Sequence, residues 1–127
     1  MTKFTIPLWR NPPSHQHGIG IRVGRNGSAM TYKKSDLAAF QQQFAMLMRM
    51  EINKTKFRRI MADYGVSCTF YLINRKHPDV TNMWKTIEDA CEGQLYDNDK
   101  FAKEIFLYRE YDKLNPRIEI EITEFNL

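Results

Sequence analysis

Apolar residues recur along the chain with spacings that predict several strands. Residues 117 to 125, R-I-E-I-E-I-T-E-F, alternate strictly between apolar and polar positions, so one face of this strand is expected to be buried. Val66 to Asn74 is rich in β-branched and aromatic residues and predicts another strand. Further strands are predicted at Phe4 to Leu8 and at residues 103 to 110, the latter joined to the last strand by the turn D-K-L-N-P. Residues 18 to 32 predict a hairpin around R-N-G, because Asn-Gly favours a tight turn.

Apolar residues at helical spacing predict the remaining elements. One long helix, or two consecutive helices with a break near Asn53, is predicted across residues 35 to 64 and ends at Gly65. Another helix is predicted from Asn82 to Glu92 and ends at Gly93. The apolar stripe of this helix contains Met83, Ile87, Ala90 and Cys91. The opposite face carries Asn82, Lys85, Asp89 and Glu92.

The order of the predicted elements indicates an α/β (α+β) fold, in which a mixed β-sheet is packed with helices. A chain of 127 residues fits one domain, spanning residues 1 to 127. No apolar run approaches the roughly 20 residues that a membrane helix needs, and the first residues lack a signal-peptide pattern. Cys68 and Cys91 have no metal-ligand spacing and fall in apolar patterns, which favours reduced, buried thiols in a cytoplasmic protein.

Charge is distributed unevenly between the two parts of the chain. Residues 1 to 77 contain 13 Lys or Arg and 3 Asp or Glu, a balance of +10. Residues 78 to 127 contain 6 and 12, a balance of −6. This division suits a protein that holds a polyanion and presents carboxylates to it, although basic residues that only solvate helix faces would give the same counts.

Carboxylates surround the helix predicted from residue 82. Asp79 precedes this helix, and Asp97 and Asp99 follow it in a turn. We expect a strand end, a helix start and a nearby turn to bring Asp79 and Asp97 to one Mg²⁺, with Lys85 holding a phosphate or stabilising a leaving group. The alternative is that Asp79 only caps the helix, while Lys85 forms a surface pair with Asp89.

The histidines suggest a different metal site. His15 and His17 have the spacing H-x-H, and His77 lies two residues before Asp79. Together with Asp79 they would form a softer site for Zn²⁺ or Mn²⁺. The competing interpretation is that these histidines are exposed beside a phosphate-binding surface.

Three segments resemble the RusA family of Holliday junction resolvases, which are small dimeric Mg²⁺-dependent endonucleases of bacteria and phages. The opening F-T-I-P-L with N-P-P-S resembles the first strand and Pro-Pro-Ser loop of that family. The central P-D-V-T-N-M-W-K-T-I-E-D-A-C-E-G resembles the signature D-x-D-N-x-x-K-x-x-x-D-A-L, and R-I-E-I-E-I-T-E-F resembles the closing strand. The stretch L-Y-D-N-D-K-F stands where the family commonly has an Asp-Asp pair.

The resemblance implies catalytic residues that this chain retains only in part. Asp79 and Lys85 match the first catalytic aspartate and the catalytic lysine, and Asn82 and Asp89 match the asparagine and helix aspartate of the signature. The second and third catalytic aspartates fall on Thr81 and Asn98, with Asp97 before the latter. Because neutral oxygens add no charge, affinity for Mg²⁺ is expected to fall. A one-residue shift of the turn would bring Asp99 into the site.

Three functions therefore remain open. The first is a homodimeric nuclease that cuts four-way DNA junctions with Mg²⁺, or with Mn²⁺, in a bacterial or phage-infected cell. The second is an inactive relative that occupies branched DNA or engages a protein partner, for instance as a phage-encoded inhibitor. The third is an interaction domain with no role on nucleic acid. For the first, the candidate phosphate contacts are Arg22, Arg25, Lys33, Lys34, Arg58, Arg59, Arg75 and Lys76.

Overall fold

Six strands and two long helices follow one another along the described part of the chain in the computed structural model. The structure describes residues 1–16, 19–23, 27 and 29–125. The elements are β1 (Thr2–Pro7), β2 (Ile19–Val23), β3 (Ala29–Lys33), α1 (Ser35–Thr55), β4 (Tyr64–Leu72), α2 (Val80–Cys91), a 3-10 turn (Asp99–Phe101), β5 (Ala102–Tyr111) and β6 (Arg117–Glu124). No helix among the described residues has the length and apolar character needed to cross a membrane.

Four of the strands form one mixed sheet in the order β1-β6-β4-β5. Strand β4 is central, since it pairs parallel with β5 and antiparallel with β6. The predicted α+β fold with a mixed sheet is therefore confirmed. The predicted connection of β5 to β6 through D-K-L-N-P is confirmed, and within the sheet β4 lies between these two strands. Strands β2 and β3 form the predicted hairpin as a separate two-stranded sheet, and part of its turn lies outside the described residues.

The helices cover one face of the four-stranded sheet. The predicted alternation of β4 and β6 is confirmed, because every second residue of each strand is buried. These residues join a single core with the apolar sides of α1 and α2. The core members from the strands are Phe4, Ile6, Tyr64, Val66, Cys68, Phe70, Leu72, Ile118, Ile120 and Ile122. The other face of the sheet is only partly shielded.

Helix α1 is shorter than its apolar pattern predicts. It ends at Thr55, and Lys56 adopts a left-handed conformation with φ of 55°. The Thr55 hydroxyl donates to two carbonyl groups of the last turn, at 3.1 and 3.2 Å, which competes with continued helix. Gly65 does not end the helix as predicted. It lies in β4, where an added Cβ would come within 3.0 Å of the Phe125 ring.

Helix α2 confirms the second predicted helix with small changes at its ends. It begins at Val80, two residues before the predicted start. It ends at Cys91, and Gly93 has φ of +84°, as a glycine after a helix commonly does. Its direction is opposite to that of β4, so each end of α2 lies near a different end of the sheet. This placement fixes where the candidate site residues lie.

Candidate active site

Asp79 caps the amino end of α2. Its Oδ1 accepts a hydrogen bond of 2.8 Å from the backbone N–H of Asn82, and its backbone is extended. The capping role considered from the sequence is thus present. The carboxylate is also exposed, and the cap uses one of its two oxygens. Capping and a role toward an external ligand are therefore compatible at this position.

The Pro-Pro-Ser loop is held against the first turns of α2. The hydroxyl of Thr86 donates to the carbonyl oxygen of Pro13 at 2.8 Å. The side chain of Asn82 accepts from the backbone N–H of Gln16 at 3.3 Å. Thr81 lies exposed in the first turn of the helix. The supporting residue Asn82 therefore positions a loop, whereas Thr81 faces the solvent beside Asp79.

Lys85 pairs with Glu88 rather than with Asp89. Its Nζ lies 3.3 Å from Glu88 Oε1, and the lysine side chain is 58% exposed while that of the glutamate is 7% exposed. The other oxygen of Glu88 accepts from the indole N–H of Trp84 at 3.1 Å. The predicted Lys85–Asp89 pair is wrong because Glu88, one residue earlier, turns inward. Lys85 lies six residues from Asp79, roughly 9 Å along the helix.

Asp89 links the two helices. Its Oδ2 accepts from Gln41 Nε2 at 2.9 Å, and the same amide donates to the carbonyl oxygen of Thr86 at 3.1 Å. Farther along α1 and just after the end of α2, the side chain of Gln94 donates to the carbonyl oxygen of Ala45 at 3.2 Å. Helices α1 and α2 therefore run in the same direction. The amino ends of the two helices consequently lie at the same end of the molecule.

The turn with Asp97, Asn98 and Asp99 lies at the carboxyl end of α2. The backbone N–H of Asp97 donates to the carbonyl oxygen of Ile60 at 2.9 Å. The backbone N–H of Asp99 donates to Glu92 Oε1 at 3.3 Å. Asn98 Oδ1 accepts from the N–H of Lys100 at 2.9 Å and so caps the 3-10 turn. Both aspartates are exposed. Asn98 thus has a local structural role that an aspartate would also fill.

The structure does not bring Asp79 and Asp97 together within one chain. Helix α2 has 12 residues, which separates its ends by about 18 Å. Asp79 follows the carboxyl end of β4, whereas Asp97 binds Ile60, which precedes the amino end of β4. No group of three or more His, Cys, Asp or Glu side chains that could hold a metal exists in the described part of the chain. The expectation of one shared Mg²⁺ is therefore not met by a single chain.

Two stacked tyrosines lie beneath the carboxyl end of α2. The rings of Tyr64 and Tyr96 are 4.6 Å apart between centroids. The Tyr96 hydroxyl donates to the carbonyl oxygen of Glu88 at 2.7 Å, whereas the buried Tyr64 hydroxyl has no hydrogen-bond partner among the described residues. Burial raises the pKa of both phenols above the ordinary value, and nearby carboxylates including Glu88 and Asp99 raise it further. Both hydroxyls are therefore neutral at physiological pH.

The histidine metal site suggested by the sequence is not formed around His77. Its Nε2 lies 2.7 Å from the Tyr111 hydroxyl, and its Nδ1 lies 2.7 Å from the carbonyl oxygen of Pro78. Because a carbonyl only accepts, Nδ1 carries a proton, and both ring nitrogens are engaged. His15 is partly exposed in the loop after β1, and His17 lies outside the described residues.

The candidate phosphate contacts divide between the two ends of α2. Lys34 precedes α1, and Arg75 and Lys76 follow β4, so these exposed residues lie at the Asp79 end. Arg58 and Arg59 are exposed at the opposite end, where Arg59 donates to the carbonyl oxygen of Gly93 at 3.1 Å. Arg25 and the side chains of Arg22 and Lys33 lie outside what the structure describes. Each end of α2 thus combines acidic and basic residues.

The uncovered face of the sheet contains aromatic and charged residues. We call it the open face; its aromatic residues are Tyr71, Phe106 and Tyr108, of which Phe106 is 52% and Tyr108 53% exposed. Arg117 lies 3.7 Å over the Tyr71 ring and donates to Glu119 at 2.8 Å. That hydrogen bond holds the pKa of the Glu119 carboxyl below its usual range. Strand β5 also forms an edge of the sheet, with one side unpaired among the described residues.

Several residues with evident roles were not singled out from the sequence. Trp9 is 43% exposed at the end of β1, and Asn11 hydrogen-bonds the loop after β4. Glu88 is a buried carboxylate, although nothing in the spacing of α2 distinguishes it from its exposed neighbours. The only available signal was the position of Trp9 and Asn11 beside two prolines.

Comparison with known proteins gives one clear result. The model of a family described as endodeoxyribonuclease RusA matches residues 11–123. The match therefore includes β2 through most of β6, both helices and every candidate residue of the site. No protein with a curated function matches the chain.

Proposed function

We propose, from the premise that this chain belongs to the RusA family of endodeoxyribonucleases, that it is a junction-cutting DNA endonuclease. Proteins of this family resolve Holliday junctions. For this member, the proposal rests on the arrangement of charged residues at the amino end of α2. There an exposed Asp79 lies at the same end of the molecule as the exposed Lys34, Arg75 and Lys76, with Lys85 about 9 Å farther along the helix.

This arrangement suits a phosphodiester substrate. Exposed cations hold the backbone without reading its sequence, which fits recognition of DNA by shape. Lys85 is 58% exposed even though it contacts Glu88, so its ammonium group remains accessible to a phosphate oxygen. The loop after β1 is fixed to α2 by hydrogen bonds, and Asn11 of that loop holds the segment that leads to Asp79, which supports a preorganised acidic position.

The proposal includes a homodimer that completes a Mg²⁺ site, with Mn²⁺ as the alternative ion. One chain keeps Asp79 and the Asp97–Asp99 turn apart. A two-fold partner in the opposite orientation can place Asp97 of the partner subunit, or Asp99 of the partner subunit, near Asp79. Two carboxylates with water and substrate phosphate are a common ligand set for Mg²⁺. Such an ion would activate water and stabilise the charge on the phosphate.

The edge strand β5 supports this dimer, because α2 packs beside it and antiparallel contact between two β5 edges would bring the two α2 helices side by side. Its half-exposed Phe106 and Tyr108 form apolar surface that a second copy would bury. Pairing through the unpaired edge of β5 would extend the sheet across the two chains.

A second candidate is a protein that binds branched DNA without cutting it. Thr81 and Asn98 stand where the family resemblance implies aspartates, and the remaining carboxylates lie at two ends of a helix. In this case the basic surfaces persist, and the target is branched DNA or a protein partner. The two candidates differ in whether the protein cuts DNA with the help of the Asp79 carboxylate.

A labelled four-way junction and a linear duplex of equal length distinguish these candidates. We expect selective binding of the junction without metal, and paired nicks with Mg²⁺ or Mn²⁺. The control is Asp79→Asn, because asparagine also caps helices well and so leaves α2 intact. Nicks that vanish in this variant support the nuclease. Selective binding without nicks supports the second candidate with branched DNA as its target. Absence of junction selectivity contradicts the nuclease and leaves a protein partner as the target.

A further inference from the structure

A cleft of about 600 Å³ lies at the amino end of α2, between the loop after β1 and the loop after β4. Pro78 lines it, so the cleft ends one residue before Asp79. Its size falls within the range of about 300–1,000 Å³ that is typical of small-molecule sites. The notable residues of its lining are Trp9, Arg10, Asn11 and Lys76.

Asn11 holds the two walls of this cleft together. Its Nδ2 donates to Asn74 Oδ1 and to the carbonyl oxygen of Lys76, each at 3.0 Å. Its Oδ1 accepts from the backbone N–H of Ile73 at 2.9 Å. One side chain thus satisfies several polar groups of the opposite loop. The cleft is therefore formed before any ligand arrives, which lowers the entropic cost of binding.

Trp9 offers an aromatic surface at the mouth of the cleft. One side of its indole stacks on Phe40, with centroids 4.9 Å apart and planes inclined by 26°. Because Phe40 covers that side, the 43% exposure of Trp9 belongs to the opposite side and the ring edge. The other tryptophan, Trp84, is only 3% exposed and its N–H is bonded to Glu88. The exposed part of the Trp9 indole therefore offers a surface on which a flat ring can stack.

The charges around the cleft favour an anion. Lys76 is exposed and lines the cleft. Arg10 also lines the cleft and forms an ion pair of 2.6 Å with Asp36. None of the described residues that line the cleft is acidic. A ligand with one flat apolar ring and one negative group would match both the indole and the ammonium group.

We infer that this cleft binds an unstacked nucleotide of DNA, with its base on Trp9 and a neighbouring phosphate on Lys76. The inference rests on the proposed function, because a branched substrate supplies unstacked bases at its crossover. Because Pro78 lines the cleft, a base bound there would hold its DNA strand near Asp79. Stacking on aromatic rings tolerates any base, which agrees with recognition of structure rather than sequence.

The direct probe is a short oligothymidylate, followed by the four-way junction. Binding of either should quench the emission of Trp9, while the buried Trp84 should contribute a constant background. Trp9→Phe removes the quenching but keeps a ring, so affinity should change only slightly. Trp9→Ala should weaken binding of the oligothymidylate about 5- to 150-fold. Lys76→Ala should weaken binding and reduce its dependence on salt.

Matched controls separate the cleft from general effects. Met61→Ala removes another exposed apolar side chain, 58% exposed, at the far end of the molecule, and Lys54→Ala removes an exposed cation there. Both variants should bind as the unaltered protein does. Equal binding by Trp9→Ala and Met61→Ala, or binding that leaves tryptophan emission unchanged, would overturn the inference. The emission measurement decides the question even if Trp9→Ala does not fold.

The same measurements separate this inference from the proposed nuclease. Quenching by the oligothymidylate without any junction cleavage would support the cleft and count against the nuclease. Junction cleavage that persists unchanged in Trp9→Ala, with no quenching, would support the nuclease and remove the cleft.

Discussion

The two ends of helix α2 carry similar residues in different settings. At the amino end, Asp79 is exposed beside a preformed cleft with an accessible indole and an exposed lysine. At the carboxyl end, Asp97 and Asp99 are exposed above a closed layer of stacked tyrosines. The amino end therefore has room for a ligand, whereas the carboxyl end offers carboxylates on a surface that is already packed.

In the proposed function, this difference gives separate tasks to the two ends. The amino end is suited to hold a DNA strand, because it combines the cleft with Lys34, Arg75 and Lys76. The carboxyl end is suited to supply additional negative charge to a metal. Since about 18 Å of helix lies between them, cooperation between the two tasks requires a second chain.

The largest effect is expected from changes on the exposed face of the edge strand β5. Phe106→Glu combined with Tyr108→Glu places charge in the proposed interface, so association should weaken by about 100-fold or more. Light scattering should then report a monomer, and junction cleavage should be lost. Leu114→Glu is the control, because Leu114 is 97% exposed in the loop after β5. A dimer that survives the double change would exclude this face as the interface.

A smaller effect, a gain in affinity for Mg²⁺, is expected from restoring carboxylates at both ends of α2. Thr81→Asp adds charge in the first turn of α2, where a carboxylate is favourable, and Asn98→Asp keeps the cap of the 3-10 turn. The double variant should need on the order of tenfold less Mg²⁺ for half-maximal cleavage, since metal affinity rises with ligand charge. Titration of cleavage against Mg²⁺ measures this change. If the Mg²⁺ concentration for half-maximal cleavage does not change, residues 81 and 98 do not contribute to metal binding.

Much of the fold could be predicted because its signals are local. Alternation in β6 and the glycine after α2 depend on neighbouring residues, and both predictions were confirmed. The position of β4 between β5 and β6 could not be predicted, because it depends on contacts between distant residues. The end of α1 could not be predicted because Lys56 adopts the left-handed conformation there, which glycine usually does. Tyr64 continues the helical pattern but begins a strand.

The candidate site could be predicted only in part for the same reason. The sequence indicated which carboxylates flank α2, yet the assumption that they meet overlooked the length of the helix between them. The inward turn of Glu88 and the hydrogen bonds of Asn11 arise from tertiary packing, and no spacing in the sequence indicates them.

A modest effect on stability is expected from Asp79, because it caps α2. Asp79→Ala should lower the free energy of unfolding by about 1 kcal/mol, whereas Asp79→Asn should leave it nearly unchanged. Thermal unfolding of the two variants measures the difference. If both variants lose cleavage equally, capping does not explain the loss. Full cleavage by Asp79→Asn would remove this carboxylate from the proposed chemistry.

The smallest effects are expected from the tyrosines at the carboxyl end. Tyr96→Phe removes a hydrogen bond to Glu88 and should cost about 1 kcal/mol of stability. Tyr64→Phe removes a buried hydroxyl that has no partner among the described residues, so stability should stay equal or rise slightly. Thermal unfolding and cleavage are measured together. Loss of cleavage in Tyr64→Phe without loss of stability would show that this end takes a direct part in the chemistry.

The central claim is that the two ends of α2 cooperate between chains. Mixing two inactive variants, Asp79→Asn and the double variant Asp97→Asn with Asp99→Asn, tests it most directly. Mixed dimers would contain one intact combination of Asp79 with the partner's aspartates, so the mixture should recover single-strand nicking of the junction. Neither variant alone should cut. A mixture that forms mixed dimers and binds junctions but never nicks them would contradict the claim.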